Sequence, residues 1–495
     1  MIQRALARPL PYLLGLAFLI RLIRIDTRGL QYDDVFSIFL SARSLPEIVR
    51  GTAADTMPPL YYFLLHGWMA LGQADWYLRL LSVLLSVLAV ALLYHWVLAA
   101  LGDWRAALAA GLLMAISPFQ YYHAQDVRGY ALLLCFQLGY LLAFTHIWRG
   151  AQTGGKSSRA AWTAFILCAL GAMYTHNAAV LALALPDLYL LLRRRWRLLL
   201  RVILAQGAAG VLMLPWLVLL PQQIAKVQRA WSLWPPGVVD VLQVPVVWSA
   251  GLPLPGWTLY AGALLGIEIL ALLALEVWNG RRDEQVWMLG LPVLALPVAF
   301  FAVSHLVRPV FVPRGFILAA TAYLGLAGWA ISRGWQRGTG KLLLGGFVLA
   351  ALIGLPAQAG FASFPRSPFE SAGAALSAEV QPDEIVLHDN KLSYFPVRYY
   401  QPDLAQVFQP DAPGSGNDTL AEATQAALEI YPLRDLEAEA GDRPGVYFVV
   451  FTQAIREYDL MDPAGHPTLK WLDARYRLEG REVFTDLEVY HYVRP

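Results

Sequence analysis

A chain of 495 residues with 57% hydrophobic and only 15% charged side chains lies well outside the soluble norm, which excludes a purely water-soluble protein. The formal net charge of +2 hides an asymmetry: residues 1–360 hold 27 basic and 14 acidic side chains, residues 361–495 hold 11 basic and 22 acidic. No nucleic-acid partner is expected, and two cysteines in apolar runs, Cys135 and Cys168, support neither a disulfide framework nor a structural zinc site.

In chain order, Arg4 and Arg8 precede a first apolar run at 8–25 that is closed by Arg21, Arg24 and Arg28. No small-residue cleavage site follows, so the run reads as a retained first span. Directly after it stands Leu30-Gln31-Tyr32-Asp33-Asp34-Val35-Phe36-Ser37. An ionised carboxylate near hydrocarbon costs about 2.5–3.5 kcal/mol even on lenient insertion scales, so such acids usually face a cavity, a cation or a substrate. The run Pro58 to Leu71 starts with two prolines and is too short to span, which suits an interfacial or re-entrant helix.

Further apolar runs at 79–101, 105–122, 129–148, 160–177, 178–193, 199–220, 257–279, 286–304, 315–332 and 341–360 bring the expected count to eleven spans. With the N-terminus cytoplasmic and 58–71 not crossing, every strongly basic loop (149–159, 193–197, 281–282, 333–341) falls on the cytoplasmic side. The segments 26–78, 121–130, 221–256 and 305–314, and everything from 361 on, then share the external face. The tail from 361 reads as a soluble α/β domain: helical patterns at 369–379 and 418–429, strand-like runs at 384–388 and 446–451, and a hairpin of 476–484 with 487–493. Asp411 to Asn417 is a loop by composition, and the Asn417-Asp418-Thr419 glycosylation pattern in it reads as accidental. The fold class expected is an α-helical polytopic membrane protein with a C-terminal soluble α/β domain, divided at 1–360 and 361–495.

Several constellations carry chemistry. Asp33 and Asp34 offer a general base, or an acid pair bridged to Arg24 or Arg28. Ser117 to Tyr130, read as one external loop, gathers Tyr122, His123, Asp126 and Arg128. A cation there suits a phosphate, and polar and aromatic side chains suit a pyranose, whereas the plain alternative is an interfacial aromatic belt with an Asp126–Arg128 pair. His176 sits at the external end of another span, as ligand contact or as structural histidine. Arg308 and Arg314 flank Pro309 to Pro313, placed for a lipid phosphate or for ordinary headgroup anchoring.

At these residues the chain resembles the GT-C membrane glycosyltransferases that use polyprenyl-phosphate sugars, in particular the bacterial relatives of protein O-mannosyltransferases and aminoarabinose transferases. The resemblance runs through the acid pair, Met57-Pro58-Pro59-Leu60-Tyr61-Tyr62, Arg79-Leu80-Leu81-Ser82 and Gln125-Asp126-Val127-Arg128-Gly129-Tyr130. It implies Asp33 as the base or acceptor-positioning carboxylate, Arg128 as a donor-holding residue, and a lipid-phosphate donor entering from the bilayer. Tyr62 and His176 are further candidate substrate contacts, and Met57 is given no role. The expected activity is inverting transfer of a sugar to a lipid, glycan or protein acceptor at the external face of the cytoplasmic membrane. No cofactor is required for this; a Mg²⁺ or Mn²⁺ ion on Asp33, Asp34 and Asp126 is the alternative to an all-protein site. Readings from other classes are a transporter or flippase of lipid-linked sugars, and a polymerase or ligase of lipid-linked oligosaccharides.

Overall fold

The computed structural model describes residues 9–154, 158–229, 233–410, 420, 422–461 and 465–495. Arg4, Arg8, the 411–417 loop with its glycosylation pattern and the start of the expected 418–429 helix lie outside these residues. The chain divides into two units, one built from residues up to 25, 56–228 and 233–360, the other from 26–55 together with 361–495.

In the first unit all eleven apolar runs are helical. Among the described residues, seven helices are long and apolar enough to cross a membrane: Asp75–Leu101, Tyr130–Gln152, Trp196–Leu217, Trp257–Asn279, Glu284–Leu306, Pro313–Gly334 and Thr339–Gly360. The remaining runs form shorter helices, and proline explains two of them. The 105–122 run breaks into Trp104–Ile116 and Pro118–Ala124 because Pro118 cannot donate to the preceding turn and instead opens a new helix, with the Ser117 side chain accepting from Gln120 N. The 178–193 run likewise splits into Ala179–Leu183 and Leu185–Leu192, with Pro186 in the first turn of the second piece. The short helix Leu60–Met69 begins after Pro59 and is too short to span.

Pro313–Gly334 is the central helix, with 89% of its apolar window buried, against 22% for Trp196–Leu217 and Trp257–Asn279, whose apolar faces remain for lipid. Close approach explains the centre: a side chain on Gly328 would run into the backbone of Ala106 and Ala110 on Trp104–Ile116. Small residues let helix backbones meet where lipid is as apolar as leucine and hydrophobicity gives no drive to pack.

The first helix, Leu10–Leu22, is fixed by a buried arginine. Arg21 donates from Nε to Ser86 Oγ (2.8 Å), from Nη1 to Ala17 O (3.1 Å) and Ala115 O (3.2 Å), and from Nη2 to Met114 O (3.2 Å). The last two are carbonyls at the end of Trp104–Ile116, which have no partner within their own helix. Arg21 therefore does not merely close the first span; its guanidinium ties three helices together.

The second unit carries a five-stranded sheet, β1 (Ile385–His388), β2 (Gln406–Phe408), β3 (Gly445–Phe451), β4 (Arg477–Phe484) and β5 (Leu487–Val493), in the order β2-β1-β3-β5-β4. β1 runs parallel to β2 and β3, while β5 is antiparallel to β3 and β4. Alternate residues of β1 and β3 enter opposite cores: Val386, Tyr447 and Val449 join Phe369 and Leu376, whereas Ile385, Leu387, Phe448 and Val450 join Leu472 and Tyr476. A sheet covered on both faces accounts for β3 being buried at every position.

Residues 26–55, which precede most of the membrane helices in sequence, pack with this sheet domain. They form the helices Tyr32–Ser41 and Leu45–Ala54. Tyr32, Phe36 and Phe39 surround Phe395 at ring-centroid distances of 5.0, 6.5 and 5.7 Å. Leu30 N donates to Tyr400 Oη (2.9 Å), Thr424 Oγ1 to Ala54 O (3.3 Å), and Arg43 pairs with Glu429 (2.7 Å). The helix Lys391–Tyr400 that supplies Phe395 is started by Asn390, whose side chain accepts from Leu392 N.

Phe395 is fully buried, so Phe395→Ala should remove about 3–5 kcal/mol from this unit. The expected readouts are a lower melting temperature and faster tryptic cleavage after Arg43 and Arg50; unchanged proteolysis in the folded variant would refute the role given to Phe395 in holding residues 26–55.

Candidate functional site

The turn after the first helix organises the residues singled out in 117–130. It presents carbonyls that the helix can no longer satisfy, with Arg24 in the left-handed region at φ 55°. Tyr121 Oη donates to Ile23 O (2.8 Å), and Gln125 Nε2 donates to Arg21 O (2.8 Å) and Ile23 O (2.9 Å). Arg79 Nη1, buried at the start of Asp75–Leu101, donates to Ile25 O (2.8 Å). One turn on, Ser82 Oγ donates to Asp126 O (2.6 Å), and Gln120 Nε2 reaches Thr321 Oγ1 (3.0 Å) on the central helix. The stretch is therefore not the open loop its polarity suggests: Pro118–Ala124 is helical, and 125–129 is a short turn tied down on three sides.

His123 and Asp126 lie in the buried layer of this turn. His123 Nδ1 is 2.8 Å from Asp126 Oδ2, and both residues are more than nine-tenths buried. The imidazole meets Phe119, Tyr122 and Tyr130 edge-on. A buried charge-assisted pair of this kind fixes the turn that follows it.

Beyond this layer opens a cleft of about 280 Å³, mouth included, between the residues around Tyr61, the turn at Arg128 and the end of the helix Arg159–Thr175. Arg128, Tyr62 and His176 line it, as do Met57, Tyr61, Gly129, Tyr130 and Thr175. His176 Nδ1 accepts the Ala178 N–H (3.0 Å), which leaves the imidazole proton on Nε2 as a donor. Asn177 Nδ2 holds this segment on Thr56 O (2.8 Å) and Gln223 Oε1 (2.9 Å). The Arg314 guanidinium stands over the Tyr130 ring at 6.0 Å, at the outer limit of a cation–π contact. Chemically the cleft offers a planar cation, a neutral N–H donor and tyrosine faces, a set that matches a phosphorylated sugar better than an apolar ligand.

The other candidates fall elsewhere. Tyr122, His123, Asp126 and Arg308 do not line the cleft, and Arg308 follows Glu284–Leu306 with its N–H on Val303 O (3.0 Å). Asp33 and Asp34 belong to the second unit, in the first turn of Tyr32–Ser41. Asp34, which is 2% exposed, accepts the Gln31 N–H through Oδ2 (3.2 Å), whereas Asp33 is only partly buried. Negative charge in a first turn is favoured by the helix dipole, so both acids also serve this helix. Among the described residues no group of three or more His, Cys, Asp or Glu side chains converges as a metal site. Asp34 Oδ2 accepts the Gln31 N–H at the start of its helix, and Asp126 Oδ2 lies against His123 Nδ1.

Sequence reasoning gave no role to Met57 and did not single out Tyr61, Gly129 or Thr175. Tyr61 and Met57 sit in the same Met57 to Tyr62 stretch that drew notice to Tyr62. Gly129 is legible only in three dimensions, because a Cβ there would lie 3.3 Å from both Thr175 Cγ2 and Tyr61 Cβ.

Residues 56–234, which contain this whole cleft, match the model of the family described as dolichyl-phosphate-mannose-protein mannosyltransferase. No curated relative matches the chain in sequence. Among solved structures, ArnT from Cupriavidus metallidurans bound to undecaprenyl phosphate superposes with a TM-score of 0.63 at 14% identity, over 98% of either chain. The apo oligosaccharyltransferase of Archaeoglobus fulgidus gives 0.57 at 13% identity, covering 98% of this chain and 74% of that one. The archaeal oligosaccharyltransferase AglB from the same organism, in complex with an inhibitory peptide and a dolichol-phosphate, gives 0.55 at 13% identity over 91% and 70%. These likenesses establish a shared fold.

The packing around Gly129 makes a stability prediction. Gly129→Val should destabilise the membrane unit by about 1–3 kcal/mol through overpacking, read as a lower melting temperature in detergent, and Thr175→Ser in the same chain should restore part of the loss. Equal melting of Gly129→Val and wild type would show that the cleft wall is not held as tightly as described.

Proposed function

We propose that the chain is a GT-C membrane glycosyltransferase, a reading supported by the family-model match over residues 56–234 and the shared fold, and that it moves a sugar from a polyprenyl-phosphate donor to an acceptor hydroxyl or amine, with inversion, on the external face of the cytoplasmic membrane. The observation that carries this reading is the cleft inside the matched region, where Arg128, the His176 Nε2–H and three tyrosines offer a sugar phosphate its complement. The lipid phosphates named with two of the structural neighbours, undecaprenyl phosphate and dolichol-phosphate, support the donor class.

In this mechanism the acceptor attacks the anomeric carbon as its bond to the phosphate oxygen breaks, and the bonding pair leaves with the polyprenyl phosphate. Arg128, with Arg308 or Arg314, neutralises the departing phosphate, and tyrosine and histidine donors orient the sugar. Asp33 takes the acceptor proton as general base. One attack with one base inverts the anomeric centre. Asp34 has a structural part, since its carboxylate is engaged by Gln31 N–H at the start of the same helix.

The division of labour has a direct test in nanodiscs, using transfer from a labelled polyprenyl-phosphate sugar. Asp33→Asn should leave donor binding intact and lower turnover by about 10²- to 10⁴-fold. Arg128→Ala should weaken both donor affinity and turnover, because it removes a cation from the phosphate before and during departure. Asp34→Asn should cost little stability, because its Oδ1 can still accept the Gln31 N–H; a transfer defect rescued by added Mg²⁺ or Mn²⁺ would mark Asp34 as a metal ligand, and no cation response would favour an all-protein site. Near-normal transfer by a folded Asp33→Asn protein would sink the assignment.

The sidedness of the same reading, with the sheet domain outside, rests on the distribution of basic loops. A reporter active only in the periplasm or outside the cell should work when fused after Pro495, and activity of a cytoplasmic reporter there would overturn the topology.

A further inference from the structure

The sheet domain holds a second concavity, far in sequence from the transferase residues, between the helix Phe369–Glu379 and the strands β4 and β5. It encloses about 590 Å³ including its mouth. Its floor is Tyr447, from β3, stacked on His491, from β5, with ring centroids 4.0 Å apart and planes 9° from parallel. Leu376 and Phe484 form an apolar wall, and Glu379, Glu479 and Glu482 stand around the opening.

The charge of this groove is not internally balanced. Its arginine, Arg481, is already neutralised, donating from Nε (2.9 Å) and Nη2 (2.7 Å) to the buried Glu488, which also accepts from Tyr490 Oη (2.7 Å) and Thr452 Oγ1 (2.8 Å). His491 makes only long approaches, 3.5 Å to Glu384 and 3.7 Å to Glu479. Three rim carboxylates therefore outweigh the imidazole whichever its protonation state.

Tyr447 supplies an observation independent of the acids. The residue is 97% buried by its 3% exposure, yet among the described residues its hydroxyl has no hydrogen-bond partner and its side chain lines the groove. Burial and then Glu384, Glu379, Glu479 and Glu482 push this phenol up to about 12, so it stays a protonated donor and acceptor at the floor of an acidic cavity. The ring is buried while the hydroxyl opens into the groove, where a polar ligand group can meet it.

We propose that this groove binds a cationic side-chain-like group, an alkylammonium or guanidinium on an aliphatic stem. The stem lies along Leu376 and Phe484, as lysine and arginine stems do on apolar surface. The charge meets Glu379, Glu479 and Glu482 and the face of the Tyr447–His491 stack, and it donates a hydrogen bond to the Tyr447 hydroxyl. The assignment is independent of the transferase reading. It gives the sheet domain a ligand site of its own, selective for amines carried by a basic polypeptide segment or by a free diamine.

Isothermal titration of the full-length protein in nanodiscs with neutral lipid tests this, using three probes: a capped Gly-Lys-Gly tripeptide, its Nε-acetylated form and cadaverine. Saturable binding of the lysine tripeptide with none of the acetylated form is expected. A response to cadaverine as strong as to the tripeptide assigns the groove to free amines, and a weaker one to lysine in a polypeptide; either fits a cation site. Glu479→Gln with Glu482→Gln should weaken binding by about tenfold, as two partly exposed ion pairs would. Tyr447→Phe, which removes one oxygen from an intact fold, should weaken it by a smaller factor. The proposal falls if the wild type binds neither cation, if acetylation makes no difference, or if the double variant, melting like wild type, binds undiminished.

Discussion

The membrane unit depends on how one turn of backbone is satisfied. Where the first helix ends, the carbonyls of Arg21, Ile23 and Ile25 lose their helical partners, and they are taken up by Gln125, Tyr121 and Arg79 from two other parts of the chain. The Arg21 side chain completes the arrangement from the other direction by donating to the last carbonyls of Trp104–Ile116. In a medium without water to solvate free peptide groups, such an exchange is close to obligatory. It also fixes where Trp104–Ile116 stops and where the turn that carries Arg128 begins.

From that constraint the cleft follows in layers. In the innermost layer the Ser82 and Gln125 side chains donate to the carbonyls of Asp126 and Arg21 and Gln120 donates to Thr321 Oγ1, and the next is the buried His123–Asp126 pair with its edge-on rings. The outer layer, Arg128, Tyr130 and His176, with Tyr61 and Tyr62, lines the cleft. Polar residues that look equivalent along the sequence thus divide into those buried within the fold and those that line the cleft. Within one helical turn the acid pair differs in burial, since Asp34 accepts the Gln31 N–H and is buried while Asp33 is partly exposed.

The second unit reaches its structure by aromatic burial. Residues 26–55 are too short to form a core of their own, and the helix Tyr32–Ser41 buries its apolar face around Phe395. Two sequence segments more than 300 residues apart are therefore one folding unit, and the acid pair is carried by the sheet domain's partner segment.

By itself, the sequence determined what periodicity, length and composition can encode. Apolar runs marked the expected spans of the membrane unit but not the helices Val238–Leu242 and Val244–Ala250, apolar strand-like runs marked β1 and β3, alternation marked the β4–β5 hairpin, and polar clusters at span ends drew attention to Arg128 and His176. These are local signals, because hydrogen bonding inside a helix and side-chain alternation in a strand are set by near neighbours. The tertiary structure alone decided the rest. β2 is three residues long and Lys391–Tyr400 contains Pro396, so neither announces itself. Gly129 matters through Tyr61 and Thr175, His123 is a buried partner of Asp126, and 26–55 belongs with 361–495. Each of these depends on which distant atoms satisfy a donor or fill a gap, and packing of that kind leaves no period in the chain for a reader to find.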